Sequence, residues 1–296
     1  MSPRELALLA LLAVAWGGSY TLIKVSIDTV PPATIVAVRL LIATLLLWGY
    51  MAVKGERLPS LAGRWRLYWA VAISGNTLPF LLITWGETHI DAGLAAILIG
   101  SVPLMTLALA PLLAADEKAG PARLAGIALG FAALVVLIGP SALAGLGGSL
   151  LGELALLAAA AAFAVNGLLV RRIGPAITGA STVVLGLSAL VALPIALVLD
   201  KPWTLSPAPE ALLAMTAQGA ISTAWATVVF FYLIRRCGAT ATSTVNYLVP
   251  VAGVALGVMI LGERPGVSEF IALAMMLGAL VLVRSQSDRP KTSAIP

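Results

Sequence analysis

Long apolar runs recur along the whole chain, separated by only a few polar residues. A helix crosses the hydrocarbon layer with about 20 mainly apolar residues, and ten runs meet that requirement. In the first half they lie near residues 5–27, 32–53, 66–87, 92–114 and 121–140, and in the second near 149–171, 178–199, 210–234, 239–261 and 267–284. The longest connections, around 54–64 and 200–209, are too short to fold as separate domains. The apolar fraction of 60% and the charged fraction of 10% leave too little polar surface for a soluble fold, which has about 45–50% and about 25%. The expected fold is an all-α polytopic membrane protein of ten transmembrane helices. The first run continues from Leu6 past Trp16 to Ile27 with no small-residue cleavage pattern, too long for the apolar core of a signal peptide, so it is expected to stay in the mature protein.

The basic residues orient these spans. Arg4, Lys54, Arg57, Arg64, Arg66, Lys118, Arg123, Arg171, Arg172, Arg235, Arg236, Arg284, Arg289 and Lys291 fall on one face, against Lys24, Lys201 and Arg264 on the other. Positive charge collects on the cytoplasmic side, so both termini are expected there. The same distribution argues against nucleic acid as a partner, because no basic stripe interleaved with aromatics forms on one surface. The single cysteine, Cys237, cannot close a disulfide within the chain, and the single histidine, His89, makes a histidine-ligated metal site unfavourable. No cofactor or metal is expected.

A repeat lies beneath the hydropathy pattern. A shift of 147 residues places Trp16 on Phe163, Lys24 on Arg171, Ala92 on Ala239, Pro103 on Pro250 and Asp116 on Glu263. Each pair occupies a matching place in its span. Five spans per half is an odd number, so the second repeat, 148–296, enters the membrane inverted relative to the first, 1–147. Inverted repeats of this kind build secondary transporters, with the solute near the midplane between halves that alternate access.

The ten-span pattern, the opening stretch Leu11–Lys24 (LLAVAWGGSYTLIK) and Arg39 in RLLIATLLLW resemble the EamA-type branch of the drug/metabolite transporter superfamily. So do the proline-centred fourth and ninth spans, each followed by an acidic residue, here Pro103 with Glu117 and Pro250 with the LGERP stretch. The resemblance covers essentially the whole chain. It implies a bacterial inner-membrane exporter of amino acids or other small metabolites, with the aromatic amino-acid exporters as the nearest analogy. It also implies a cavity lined by the first, third, fourth, sixth, eighth and ninth spans, with the second span peripheral.

Polar and aromatic side chains inside spans mark the cavity candidates, because polar groups in lipid face a cavity or another helix. They are Trp16 and Tyr20 in span 1; Asn76, Phe80 and Thr84 on one face of span 3; Phe163 and Asn166 in span 6; Gln218, Ser222, Trp225 and Tyr232 on one face of span 8; and Ser243, Asn246 and Tyr247 in span 9. Rings with neutral amides suit a zwitterionic or apolar solute, although interhelical bonding would use the same residues. Pro79, Pro103 and Pro250 read either as static kinks or as hinges. Arg39, about 10 Å into its span, either snorkels or pairs structurally, or else holds an anion. Span 1 lacks the glutamate of the small multidrug relatives, and Glu87, Asp91 and Glu153 lie near span ends, so a glutamate-based antiport does not carry over while coupling through an end-of-span carboxylate stays open. Gly126–Gly130 and Gly253–Gly257 match the close-packing GxxxG spacing, read as contacts within the chain. No nucleotide-binding loop, nucleophile elbow or paired acid and base supports a pump or an enzyme. A lipid-linked sugar flippase and a proton-coupled drug exporter are the alternatives within the superfamily. A monomer is favoured.

Overall fold

The computed structural model describes residues 1–113, 121–143, 148–170, 172–173, 177–242 and 244–287. Asp116, Glu117, Lys118, Arg171, Ser243, Arg289 and Lys291, named above, lie outside them. Every regular element among the described residues is helical. The first half contains α1 (Pro3–Ile27), α2 (Pro32–Lys54), α3 (Trp65–Ala72), a π-helical segment at Ile73–Thr77, α4 (Leu78–Gly86), α5 (Ala92–Ile99), α6 (Val102–Leu113) and α7 (Pro121–Leu143). The second contains α8 (Gly148–Val170), α9 (Ile177–Leu199), α10 (Pro209–Ala217), a π-helical segment at Gln218–Trp225, α11 (Ala226–Thr242), α12 (Val245–Leu256), a third π-helical segment at Gly257–Leu261 and α13 (Val267–Ser287).

Seven of the resulting helices among the described residues are long and apolar enough to cross a membrane, and shorter apolar helices at Leu124–Ile138, Val245–Leu261 and Val267–Ala279 occupy the remaining three expected places. Large apolar side chains cover the outer surface: Val53 is 87% exposed, Leu199 71% and Met259 71%. Water would oppose such a surface and lipid does not. The chain is a multi-pass membrane protein.

Helix ends are set by local chemistry. Ser2 and Glu5 form a reciprocal capping box that starts α1. Pro32 stands in the first turn of α2, where its missing N–H is not needed, and Gly55 at φ 64° ends that helix in the left-handed conformation open to glycine. Gly238, at φ 81° and ψ 160°, breaks the helical path inside α11 and so divides the eighth span from the ninth. Shifted by 147, the π-helical Ile73–Thr77 falls on 220–224, inside the π-helical Gln218–Trp225. The two halves thus share a backbone irregularity as well as residues.

Close packing of small residues joins the halves. A Cβ on Gly17 of α1 would sit 2.8 Å from the backbone of Val249 and Gly253 and from the Ala252 side chain. A Cβ on Gly253 would strike Ala96 of α5. Three helices therefore meet where only hydrogen fits, the contact that stabilises helix pairs in lipid, where burial of apolar surface gives no drive. Gly253 and Gly257 make contacts within the chain, Gly257 against Glu263, and Gly130 lies against Leu104.

Gly17→Val should separate α1 from α12 and destabilise the protein by about 1–3 kcal/mol, read as a lower Tm in detergent. Gly49→Ala, where nothing lies within 4 Å, should leave Tm unchanged. Equal Tm values for both variants would show that the Gly17 contact does not hold the halves.

Candidate functional site

Between the two halves lies a central cavity of about 610 Å³. Toward the end where α1 finishes and α2 begins, its lining stops at Ile23 and Ile83. Toward the opposite end, which bears Arg64, Arg172, Arg235 and Arg236, it extends to Val170 and Ile173. The cavity is a vestibule closed at one end.

The structure brings together Trp16 and Tyr20 from α1, Asn76 and Phe80 from the third span, Phe163 and Asn166 from α8, and Ser222 and Asn246 from the eighth and ninth spans. Phe230 adds a ring against Trp16, with centroids 5.3 Å apart, and Phe80 meets Phe163 edge-on at 6.3 Å. The Asn166 amide packs onto Gly75, where a Cβ would lie 2.6 Å from it. Only glycine at 75 allows that approach.

Five sequence candidates lie elsewhere. Thr84 is buried in the helix packing, Gln218 is fully buried and absent from the lining, Trp225 is 36% exposed and absent from the lining, Tyr232 packs with the cluster of Leu9, Leu12 and Leu233, and Tyr247 packs with Leu104 and Ala279. The face of span 8 expected from sequence assumes α-helical spacing. Within Gln218–Trp225 the turns close from i to i+5 rather than i+4, so residues at α-helical intervals no longer share a face. That extra residue per turn takes Trp225 off the wall that Ser222 occupies.

The three prolines have distinct settings. Pro79 is buried and opens α4 directly after the π-helical segment. The fourth span is interrupted at Gly100–Ser101, and Pro103 stands in the first turn of the new helix, α6, where its missing N–H is not needed. Pro250 lies inside an uninterrupted α12, and its ring fills the space a Cβ on Gly100 would need. The repeat-related Pro103 and Pro250 thus stand in unlike settings, with a break in one half and a continuous helix in the other. Proline cannot donate to the carbonyl four residues before it. For Pro103 and Pro250 the residues four before are Ile99 and Asn246, both of which line the cavity.

Arg39 also reaches the cavity, although it comes from the span expected to be peripheral. The reason is a second close approach. A Cβ on Gly219 would lie 2.7 Å from Ile42 and 3.0 Å from the Arg39 carbonyl, so α2 rests directly on the π-helical segment of span 8. Arg39 is 94% buried as a consequence, its exposure being 6%. Its Nε donates to Thr223 Oγ1 at 2.8 Å and its guanidinium lies 4.0 Å over the Phe80 ring. Span 7 contributes as well, through Ala180, Ser181 and Val184.

The sequence profile of the EamA-like transporter family matches residues 4–139 and again residues 147–285. The chain belongs to the EamA-like transporter family. The two matches divide the chain close to the 147-residue offset of its repeat. A relative named the uncharacterized inner membrane transporter YedA, from Escherichia coli strain K12, is 28% identical over 277 residues, covering 92% of this chain and 88% of that one. A probable terminal-alkyne amino-acid exporter from Streptantibioticus cattleyicolor is 25% identical over 285 residues, covering 94% and 93%. A crystal structure with 21% sequence identity superposes with a TM-score of 0.67 over 98% of this chain and 100% of that one, which shows the shared fold. The family makes the chain a membrane transporter.

The closed end of this EamA-like protein gathers Glu263, Lys24 and Glu87, which the sequence places only as repeat-related or span-end residues, together with Asp200, which it does not single out. Glu263 accepts from Ala92 N at 2.7 Å and Gly93 N at 2.9 Å, capping α5. Asp200 accepts from Thr34 N at 2.6 Å and Thr34 Oγ1 at 2.9 Å, near the start of α2. Two helices of the first half thus begin on carboxylates from the second, each favoured by the positive end of the helix. Lys24 Nζ donates to the Glu87 and Ile90 carbonyls, both at 2.7 Å, tying α1 to the connection between α4 and α5. Glu87 is sealed beneath this set, fully buried, with neither carboxylate oxygen hydrogen-bonded by a described residue. Its position in sequence suggested only a span end; the burial comes from long-range packing.

Glu263→Ala should release the two α5 amides and loosen this end. Each charge-assisted bond contributes about 1.5–3 kcal/mol, so a thiol placed by Ile23→Cys, in a Cys237→Ser background in proteoliposomes, should react about tenfold faster or more with an impermeant maleimide supplied only on the closed-end side. Unchanged reactivity would show that the caps do not keep the end shut.

Proposed function

We propose that this chain is a secondary transporter of a bacterial inner membrane that exports amino acids or related small metabolites by alternating access, with both termini in the cytoplasm. The observation that carries the reading is the vestibule itself, about 610 Å³, closed at one end and lined by rings and neutral amides. Such a wall offers aromatic faces and a few amide and hydroxyl groups, which suits a neutral or zwitterionic solute. The exporter name of one relative concerns an amino acid and points the same way.

In this reading the units that move are the five-helix halves 1–147 and 148–296, the second inverted. The present conformation faces the cytoplasm, since the lining extends toward the arginine-rich end. Opening the other end means drawing Glu263 and Asp200 of one half away from the helix starts of the other. Solute binding in the vestibule would lower the cost of that separation, as differential binding must in any alternating-access cycle. The break before Pro103 and the uninterrupted Pro250 supply unequal hinges, one ready-made and one still helical.

Purified protein in liposomes should catalyse counterflow of at least one neutral or aromatic amino acid from a panel of twenty. Trp16→Ala or Phe163→Ala should reduce that exchange about tenfold or more without lowering membrane insertion, because a buried ring is worth roughly 1.5–3 kcal/mol. Trp225→Ala, off the cavity wall, should leave exchange within about twofold of wild type. Absence of counterflow for every panel member would overturn the amino-acid reading, and equal effects of all three variants would overturn the assignment of the wall.

A further inference from the structure

Arg39 is the only charged side chain among the described residues that line the cavity. The bond from its Nε to Thr223 is directional, because the Thr223 hydroxyl gives its own proton to the Gln218 carbonyl at 2.9 Å and so turns a lone pair toward the guanidinium. The Phe80 ring supports one face of the guanidinium plane. One nitrogen and one face are thus fixed. No described residue accepts from Nη1 or Nη2. A cation buried in a low-dielectric site needs an opposing charge and filled donors; the buried Glu87 carboxylate lies within Coulombic reach but makes no hydrogen bond to Arg39, and no carboxylate lines this cavity among the described residues.

We propose that Arg39 binds the carboxylate of the transported solute, which makes the cavity selective for monocarboxylates with an apolar or aromatic body, amino acids among them. The planar fork of Nη1 and Nη2 donors matches the two oxygens of a carboxylate. Trp16, Phe163 and Phe230 supply faces for the body of the solute. The Ile99 and Asn246 carbonyls, which Pro103 and Pro250 cannot satisfy, supply acceptors for an ammonium group. One cation offsets one negative charge, so a phosphate monoester with close to two is the poorer ligand. Thr223 acts as a positioning residue, since it aims the fork and does not itself meet the solute in this assignment. The inference rests on the carrier reading above, and its test is made by binding as well as by transport so that the two can fail separately.

The decisive comparison uses the wild-type, full-length protein in detergent, with phenylalanine, leucine, phenylalaninamide, phenethylamine and phenyl phosphate as probes. Binding is read by quenching of tryptophan fluorescence and by the shift in Tm. At least one of the two amino acids should bind, and removing the carboxylate charge, as in the amide and the amine, should weaken binding about tenfold or more. Arg39→Lys keeps the charge but loses the fork and should weaken phenylalanine binding about tenfold. Thr223→Val should raise KM for counterflow while leaving the maximal rate within about twofold. Phenylalaninamide binding as tightly as phenylalanine would overturn the proposal, as would phenyl phosphate binding more tightly, or neither amino acid binding at all. Selective binding of the acid without any counterflow would leave Arg39 in its role and sink the carrier reading instead.

Discussion

The architecture depends on backbones approaching one another at points where a side chain would not fit. In lipid, one apolar helix face gains nothing by leaving the hydrocarbon for another, so close packing and polar contacts must hold the bundle. Gly17 against Ala252 and Gly253, and Gly253 against Ala96, bring α1, α12 and α5 together. Gly219 brings α2 onto span 8 in the same way, and Gly75 seats the Asn166 amide. The cavity occupies the space these contacts leave, and the one charged side chain among its described lining residues reaches the wall because Gly219 allows α2 so near.

A second constraint acts through hydrogen bonding. Backbone groups at membrane depth must be satisfied inside the protein or face a wet cavity. The irregular backbone of this chain obeys that rule. The π-helical segments at Ile73–Thr77 and Gln218–Trp225, the interruption at Gly100–Ser101 and the carbonyls left without an α-helical donor all lie in spans that wall the vestibule. The helix starts at the closed end are satisfied by carboxylates from the opposite half. The third π-helical segment, Gly257–Leu261, is the exception: it lies off the cavity wall and presents Met259 and Ile260 to the outer surface.

Much of this was legible in the residue order, and the failures have identifiable causes. Span positions follow from hydropathy, which needs no knowledge of partners, and the repeat follows from spacing. Trp16, Tyr20, Phe163 and Asn246 lie on the wall because mid-span aromatic and polar groups have few other places to go. Trp225 and Gln218 were misplaced because a π-helical turn has no residue signature and shifts every face that follows it. The caps by Asp200 and Glu263 join residues 166 and 171 positions apart, beyond the reach of any local pattern. Glu87 is adjacent in sequence to a connection, and only the packing of the ends around it makes it a buried group.

The proline-vacated carbonyls of Ile99 and Asn246 have a consequence for how such a carrier diversifies. A backbone acceptor survives almost any substitution at its own position, whereas the rings around it are side chains that mutation can replace one at a time. A lineage can therefore exchange Trp16, Phe163 or Phe230 for other residues and remodel the apolar part of the pocket while the carbonyls proposed to receive an ammonium group stay in place. Retuning then proceeds by single steps, each leaving a working scaffold behind it.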